Sequence, residues 1–315
     1  MRKSFSGLGF SAKWKIFLIS TLFILLFIII KTGPVLSWGP GNNYRNYSVR
    51  TTVNVTNAYP EILNVSCGGV AITLNAGTTK TINCTVQIRD YNGGGDINYV
   101  NATFYYFLNA SSDPLNNNTN YANASCTNIT ANGYYTNWSC SFDAWYYALN
   151  GTWKANVTAN DTYSAKDNDY GNFSIAALLA LNATPIIDFG DMAVTDTSAT
   201  SVQANVTNFG NVPINVSVYG FGGDTELTGA GTAMLCQIRN ISLPNERYSL
   251  DSGAVYADMT PITGALVPIP ALTVQKQTLP GTYIINSTYW TLHVNLTTNP
   301  FGECNGTVVF AAISP

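Results

Sequence analysis

Ile82-Asn83-Cys84-Thr85-Val86-Gln87-Ile88 puts an apolar side chain at every second position and a polar one between. A strand turns successive side chains to opposite faces, so this stretch predicts a strand with one face in a core and the other in water. The same period recurs at Ala102, Phe104, Tyr106 and Leu108, at Trp138, Cys140 and Phe142, and at Trp153, Ala155, Val157 and Ala159. Val49, Thr51, Val53 and Val55 alternate as well, as do Val70, Ile72 and Leu74. Turn-forming clusters separate these segments, notably Asp90–Asp96 (DYNGGGD) and the Asn-rich run Asp113–Asn120. Short strands at this spacing predict a sandwich rather than βαβ units.

A second half begins near Thr184-Pro185, with strands expected at Val202–Val206, Ile214–Val218, Leu272–Val274, Leu292–Leu296 and Val308–Ala312. Turns are expected at Asn208–Pro213 (NFGNVP) and Gly220–Gly223. Ser174–Leu181 (SIAALLAL) reads as a helix or equally as the last strand of the first half. With 315 residues the chain has room for two domains of ordinary size, expected at 48–178 and 179–315.

The N-terminus sets the compartment. Arg2, Lys3, Lys13, Lys15 and Lys31 occur with no acid among them, whereas the chain after Lys31 carries a net charge of −8. A basic start on an acidic body argues against a nucleic-acid partner and orients the start, residues 1–15, toward the cytoplasm. Ile16–Ile30 is apolar except for Ser20 and Thr21. As a helix it measures roughly 22 Å, short of a hydrocarbon core about 30 Å thick unless it continues toward Leu36. Residues 16–36 therefore read either as a retained membrane anchor or as a signal peptide cleaved near Ser37. A pilin-type signal lacks its Lys/Arg-Gly junction. Both remaining readings export the body, after a polar linker at 37–47.

The chain holds 36 Asn and 58 Ser plus Thr, for which chance predicts about seven N-x-S/T triplets; there are 21, none with Pro in the middle. They begin at Asn46, Asn54, Asn64, Asn83, Asn101, Asn109, Asn117, Asn123, Asn128, Asn137, Asn150, Asn156, Asn160, Asn172 and Asn182. The rest begin at Asn205, Asn215, Asn240, Asn286, Asn295 and Asn305, so all lie in the exported part. The excess reads as N-glycosylation acceptors. Asn-Val-Thr is also what a half-exposed strand looks like, and the two readings support each other because an acceptor must face solvent.

Six cysteines, with no C-x-x-C pair and no neighbouring His, read as disulfides in an exported chain. Cys236–Cys304 is the natural pair if the halves are separate. For the first half Cys67–Cys84 with Cys126–Cys140 is favoured, and an immunoglobulin-style Cys84–Cys140 bridge is the rival.

The stretch Ala76–Asn172 carries AGTTKTINCTV, DYNGGGDI, NASCTNIT, NWSCSFDAWYYALNGTW and VTAND. In these pieces it resembles the glycosylated Ig-like domains of archaeal cell-surface proteins. Relatives often carry a Cys two places after the Gly-Thr-Trp, where this chain has Ala155, so Cys67 takes over as partner of Cys84. The second half, with IIDFGDM, NVTNFGNVPINVSV, STYWTLHV and NGTVVF, is similar to a second such module. The resemblance implies an all-β fold, two Ig-like β-sandwich domains after an N-terminal transmembrane or signal helix. It implies nothing about activity.

Chemistry is sparse. His293 is the one histidine and lies in an alternating strand, where an outward polar role outweighs that of a catalytic base. The acids fall mainly in turns, with no spacing that demands a paired-carboxylate site. Asp161, Asp167 and Asp169 form the best candidate for Ca²⁺, although Gly171 stands where an EF-hand needs its third ligand. No catalytic residue and no other cofactor is expected. The chain reads as a non-catalytic, heavily N-glycosylated envelope or adhesion protein. It would be held to the membrane by its N-terminal helix, with other surface proteins or glycans as partners. Two alternatives are a filament or surface-layer subunit assembling by strand donation from Val49–Asn57, and an exported enzyme acting on polysaccharide. The sequon-free stretch from Leu243 to Ile285, with Tyr248, Tyr256 and Pro261–Pro270, is the expected interaction surface.

Overall fold

Alternation organises the structure, a computed structural model describing residues 48–69 and 71–315. The basic start, the anchor or signal segment 16–36, the linker 37–47 and Asn46 lie outside the described residues, as does Val70. Two compact units are distinguished, Met1–Val55 and Thr56–Pro315. In the first, the described residues 48–55 are exposed and have no regular structure. The strand expected at Val49–Val55 is therefore not formed; alternation there finds no neighbour to bond among the described residues.

The regular structure of the second unit is nearly all strand, in four antiparallel sheets. Its first eight strands are β1 Glu61–Ser66, β2 Thr79–Arg89, β3 Ile97–Tyr106, β4 Asn120–Asn123, β5 Thr127–Asn132, β6 Tyr135–Trp145, β7 Gly151–Asp161 and β8 Lys166–Ile175. They form sheets in the orders β1-β2-β6-β5 and β4-β3-β7-β8. Ile82, Cys84, Val86 and Ile88 of β2 are all buried, while Thr81, Asn83, Thr85 and Gln87 between them are exposed. Both sheets turn such faces inward. Phe104 of β3 stacks on Phe142 of β6 at 4.2 Å, and Trp153 of β7 packs on Tyr121 and Phe173.

The next ten strands are β9 Leu181–Ala183, β10 Val202–Asn208, β11 Ile214–Gly222, β12 Thr232–Ile238, β13 Ile241–Ser242, β14 Glu246–Ser249, β15 Thr260–Pro261, β16 Val267–Val274, β17 Ile285–Leu292 and β18 Phe301–Ile313. Their sheets run β15-β14-β17-β10-β9 and β13-β12-β18-β11-β16. A second hydrophobic cluster lies between them, with Trp290 at its centre against Tyr248 and Phe310. Tyr248 is thus core rather than interaction surface. The one α-helical turn among the described residues is Glu226–Gly229.

Other expectations shift for identifiable reasons. Of the described residues 71–74 of the strand expected at Val70–Leu74, only Ile72 makes a bridge, to Ile175, so no strand forms there. Leu292–Leu296 leaves the sheet after Leu292, because Val294 bonds the backbone of the 195–196 turn instead. Ser174–Leu181 is neither one helix nor one strand. Its middle is held open by Asn211, whose amide donates to Ala176 O and whose oxygen accepts from Leu178 N.

The disulfides are Cys67–Cys84, Cys126–Cys140 and Cys236–Cys304. Cys84 and Cys140 stand opposite each other on β2 and β6. Cys67 follows the residue paired with Thr85, and Cys126 precedes the residue paired with Ser139. The four therefore form one row across a single sheet, each bridge joining an outer strand to its inner neighbour. The rival Cys84–Cys140 bridge is not formed. Cys236 and Cys304 are likewise directly opposed, on β12 and β18.

Candidate functional site

Three acids converge at one end of the β3-β7 pair. Asp90 follows the last residue of β2, Asp96 closes the short 3-10 turn before β3, and Asp161 ends β7 opposite Ile97. The loop between the first two is set by its glycines. Gly93 has φ +126°, open to glycine and strained for other residues. A Cβ on Gly94 would lie 2.4 Å from Tyr135 O, so only glycine lets the loop rest on the β5–β6 hairpin. Gly94 N and Asp90 N each donate to that hairpin at 2.8 Å, to Gly133 O and Tyr134 O.

The result is a carboxylate cluster whose oxygens, one from each acid, lie within 4.8 Å of one another. Asp90 and Asp161 are buried and Asp96 is partly so. Asp90 Oδ1 accepts from Asn92 N at 2.8 Å, and Asp96 Oδ1 accepts from the Thr162 hydroxyl. Asp161 Oδ1 accepts from Tyr163 N and Ala165 N, and its Oδ2 accepts from Asn57 Nδ2 at 2.5 Å. Among the described residues seven buried side-chain atoms have no hydrogen-bond partner, and three are Asp90 Oδ2, Asp96 Oδ2 and Asn57 Oδ1. All three are acceptors. Burial pushes the Asp90 carboxyl above its usual range; the Asn92 amide opposes this, and the charges of Asp96 and Asp161 add to it. Two like charges at such a separation repel by roughly 3 kcal/mol at an effective dielectric near 20. No Lys or Arg answers them: the one salt bridge among the described residues is Arg89–Glu61.

Of the acids expected to form a metal site, Asp161 is in this cluster, but Asp167 and Asp169 are not. Hairpin register places them along β8, opposite Ala159 and Val157. Asp167 Oδ2 accepts from Ile62 N at 2.7 Å, and Asp169 Oδ1 accepts from the next amide, Tyr170 N. Asp90 and Asp96 were legible only as turn residues; both ends of DYNGGGD being acidic was the available signal.

A further acid, Glu246 at the start of β14, is buried and makes no side-chain hydrogen bond among the described residues. Burial pushes its carboxyl up to about 8. It lines a cavity of about 410 Å³ shared with Asp188, Met234, Asn305, Thr307 and Phe310. His293 lies elsewhere, with Nδ1 2.9 Å from Thr197 Oγ1 and its ring near Tyr256.

The triplet asparagines have a uniform placement. Twenty of the 21 are described, and not one is buried. The buried asparagines, Asn120, Asn208 and Asn211, all stand outside the triplets and serve the fold. Asn208, for example, donates to Val212 O and Val274 O.

No protein-family model matches the chain, and no curated protein matches it. Among solved structures it is similar to Escherichia coli alpha-2-macroglobulin activated by porcine elastase, with 10% identity over 83% of this chain and a TM-score of 0.23. That match spans only 22% of the other protein. It is also similar to a DUF4466 family protein from Parabacteroides merdae, with 9% identity over 76% of this chain and all of the other, at a TM-score of 0.21. Neither likeness assigns a fold family or a function.

Proposed function

We propose that this chain is a non-catalytic, heavily N-glycosylated cell-surface protein of the envelope or adhesion type. Its Ig-like sandwiches would be carried outside the membrane by the N-terminal apolar segment. The observation that carries the reading is the sorting of asparagines: among the described residues the acceptor triplets hold none of the buried ones. A strand-face coincidence would not require that, since the same β-structure does bury Asn208. Three disulfides with no free cysteine among the described residues support an oxidising compartment. Protease applied to intact cells should release glycopeptides from residues 48–315. A body that stays protected until lysis, or acceptor peptides that carry no glycan, would remove this reading.

A second reading, assembly by strand donation, is favoured by one segment. Val49, Val53 and Val55 are each more than 80% exposed, on a run that alternates as a strand yet pairs with nothing described. An apolar edge of this kind is a ready donor to the sheet of another copy. Val53→Asp should abolish assembly seen by negative-stain imaging of the membrane-extracted protein. Unchanged filaments in the variant, or none in the native protein, would count against donation.

A further inference from the structure

We propose that Asp90, Asp96, Asp161 and Asn57 form a Ca²⁺ site that clamps the incoming segment at Thr56–Pro60 to the end of the first sandwich. The acidic cluster does not carry this by itself. The deciding feature is that Asp90, a fully buried member of the cluster, keeps an oxygen with no partner, as do Asp96 and Asn57, the latter joined to the cluster through Asp161. A buried acceptor left without a donor is costly, and a protein without a cation here would favour a lysine, a hydroxyl or an apolar residue. Instead the donors nearby are taken up by one oxygen of each carboxylate. The amides of Asn92, Tyr163 and Ala165 fix Oδ1 of Asp90 and of Asp161, and the Thr162 hydroxyl fixes Oδ1 of Asp96. Such hydrogen bonds fix the orientation of the carboxylates, leaving the second oxygens of Asp90 and Asp96 without a donor, while that of Asp161 accepts from Asn57 Nδ2.

The donor set selects the ion. It contains only carboxylate and amide oxygens, with no imidazole or thiolate, which points to a hard cation. Oxygens sharing one Ca²⁺ lie 2.3–2.6 Å from it and so fall within about 5 Å of each other, as the carboxylates here do. Mg²⁺ is usually held by one or two carboxylates and keeps several waters, whereas three carboxylates, two of them buried, and an amide form much of a protein cage. The partly exposed Asp96 leaves one side where solvent can complete the shell. Because Asn57 belongs to the incoming segment, loading the site joins that segment to the β2–β3 and β7–β8 turns. The inference does not depend on the cell-surface reading.

The test uses the full-length protein, stripped with EGTA and titrated with CaCl₂ or MgCl₂ while binding and thermal unfolding are followed. One Ca²⁺ per chain is expected, with Kd about 10⁻⁴–10⁻³ M and at least tenfold preference over Mg²⁺. Saturation should raise Tm by several degrees and slow proteolysis between residues 56 and 60. Asp90→Asn should weaken binding at least tenfold; it also removes a like charge, so the variant folds without metal and its Tm rises less with Ca²⁺ than the native chain's does. Asp169→Asn, outside the cluster, should bind as the native chain does. No Ca²⁺ response at 10 mM, equal affinity for Mg²⁺, or loss of binding in Asp169→Asn but not in Asp90→Asn would overturn the assignment.

Discussion

Replacing Glu246 by glutamine should remove a fall in stability that the native protein shows between pH 5 and pH 8. The carboxyl titrates near 4.5 when unfolded and near 8 when buried, the cause being desolvation. Its folded-state value is raised, so below about pH 4.5 both states are protonated and nothing is lost. Between 4.5 and 8 the folded chain holds a proton that the unfolded chain has released, and stability falls as pH rises. At about 1.4 kcal/mol per unit, the full shift is worth up to about 5 kcal/mol. For a unit of this size that corresponds to a Tm change on the order of 10 °C. A glutamine side chain cannot ionise and retains the shape, so Glu246→Gln should flatten the curve and be more stable than the native chain at pH 8. Thermal unfolding at pH 5, 6.5 and 8 measures this. A native Tm that does not fall across the window would show that the carboxyl is solvated. The window ends where Lys276 begins to release its proton, its ammonium being pushed down to about 8 by burial; that penalty is relieved as pH rises further.

The second large effect is expected at Trp153. Its ring is fully buried and packs on Tyr106, Tyr121 and Phe173, while Nε1 donates to Leu149 O at 2.7 Å. Trp153→Ala leaves a cavity between the sheets and a carbonyl without its donor, and should cost about 3–5 kcal/mol. Against a typical stability of about 5–15 kcal/mol, that removes a large share. Tyr134→Ala, at an exposed hairpin position, should change stability by less than about 0.5 kcal/mol. Equal losses in the two variants by denaturant unfolding would contradict the placement of the core.

The sheets were readable because each has one dry and one wet face, so β2 and β7 write their orientation into the chain two residues at a time. That code specifies a face and says nothing of a neighbour, which is why Val49–Val55 reads as a strand and pairs with nothing described. Tyr248 misled for a related reason. A sequon-free run looks like a bare surface, yet strands β14 and β16 in it supply the core. The carboxylate cluster was hidden by distance along the chain. Asp161, Asp167 and Asp169 are neighbours in sequence, but the β7–β8 register sends the last two away. Asp90 and Asp96 reach Asp161 only because β3 pairs with β7 and the GGG turn folds back on the β5–β6 hairpin.

The row of cysteines also bears on what happens when the chain is pulled from its ends. Each bridge joins adjacent strands of one sheet and closes a separate, non-overlapping loop. Force therefore runs across the sulfurs rather than through the loops, even after the sheets have come apart. The loops withhold 17, 14 and 68 residue steps from the stretchable length. At about 3.4 Å per residue this is roughly 340 Å of slack that only a reductant can release. An oxidised chain is thus a short tether with a hard stop, and a reduced one a much longer line.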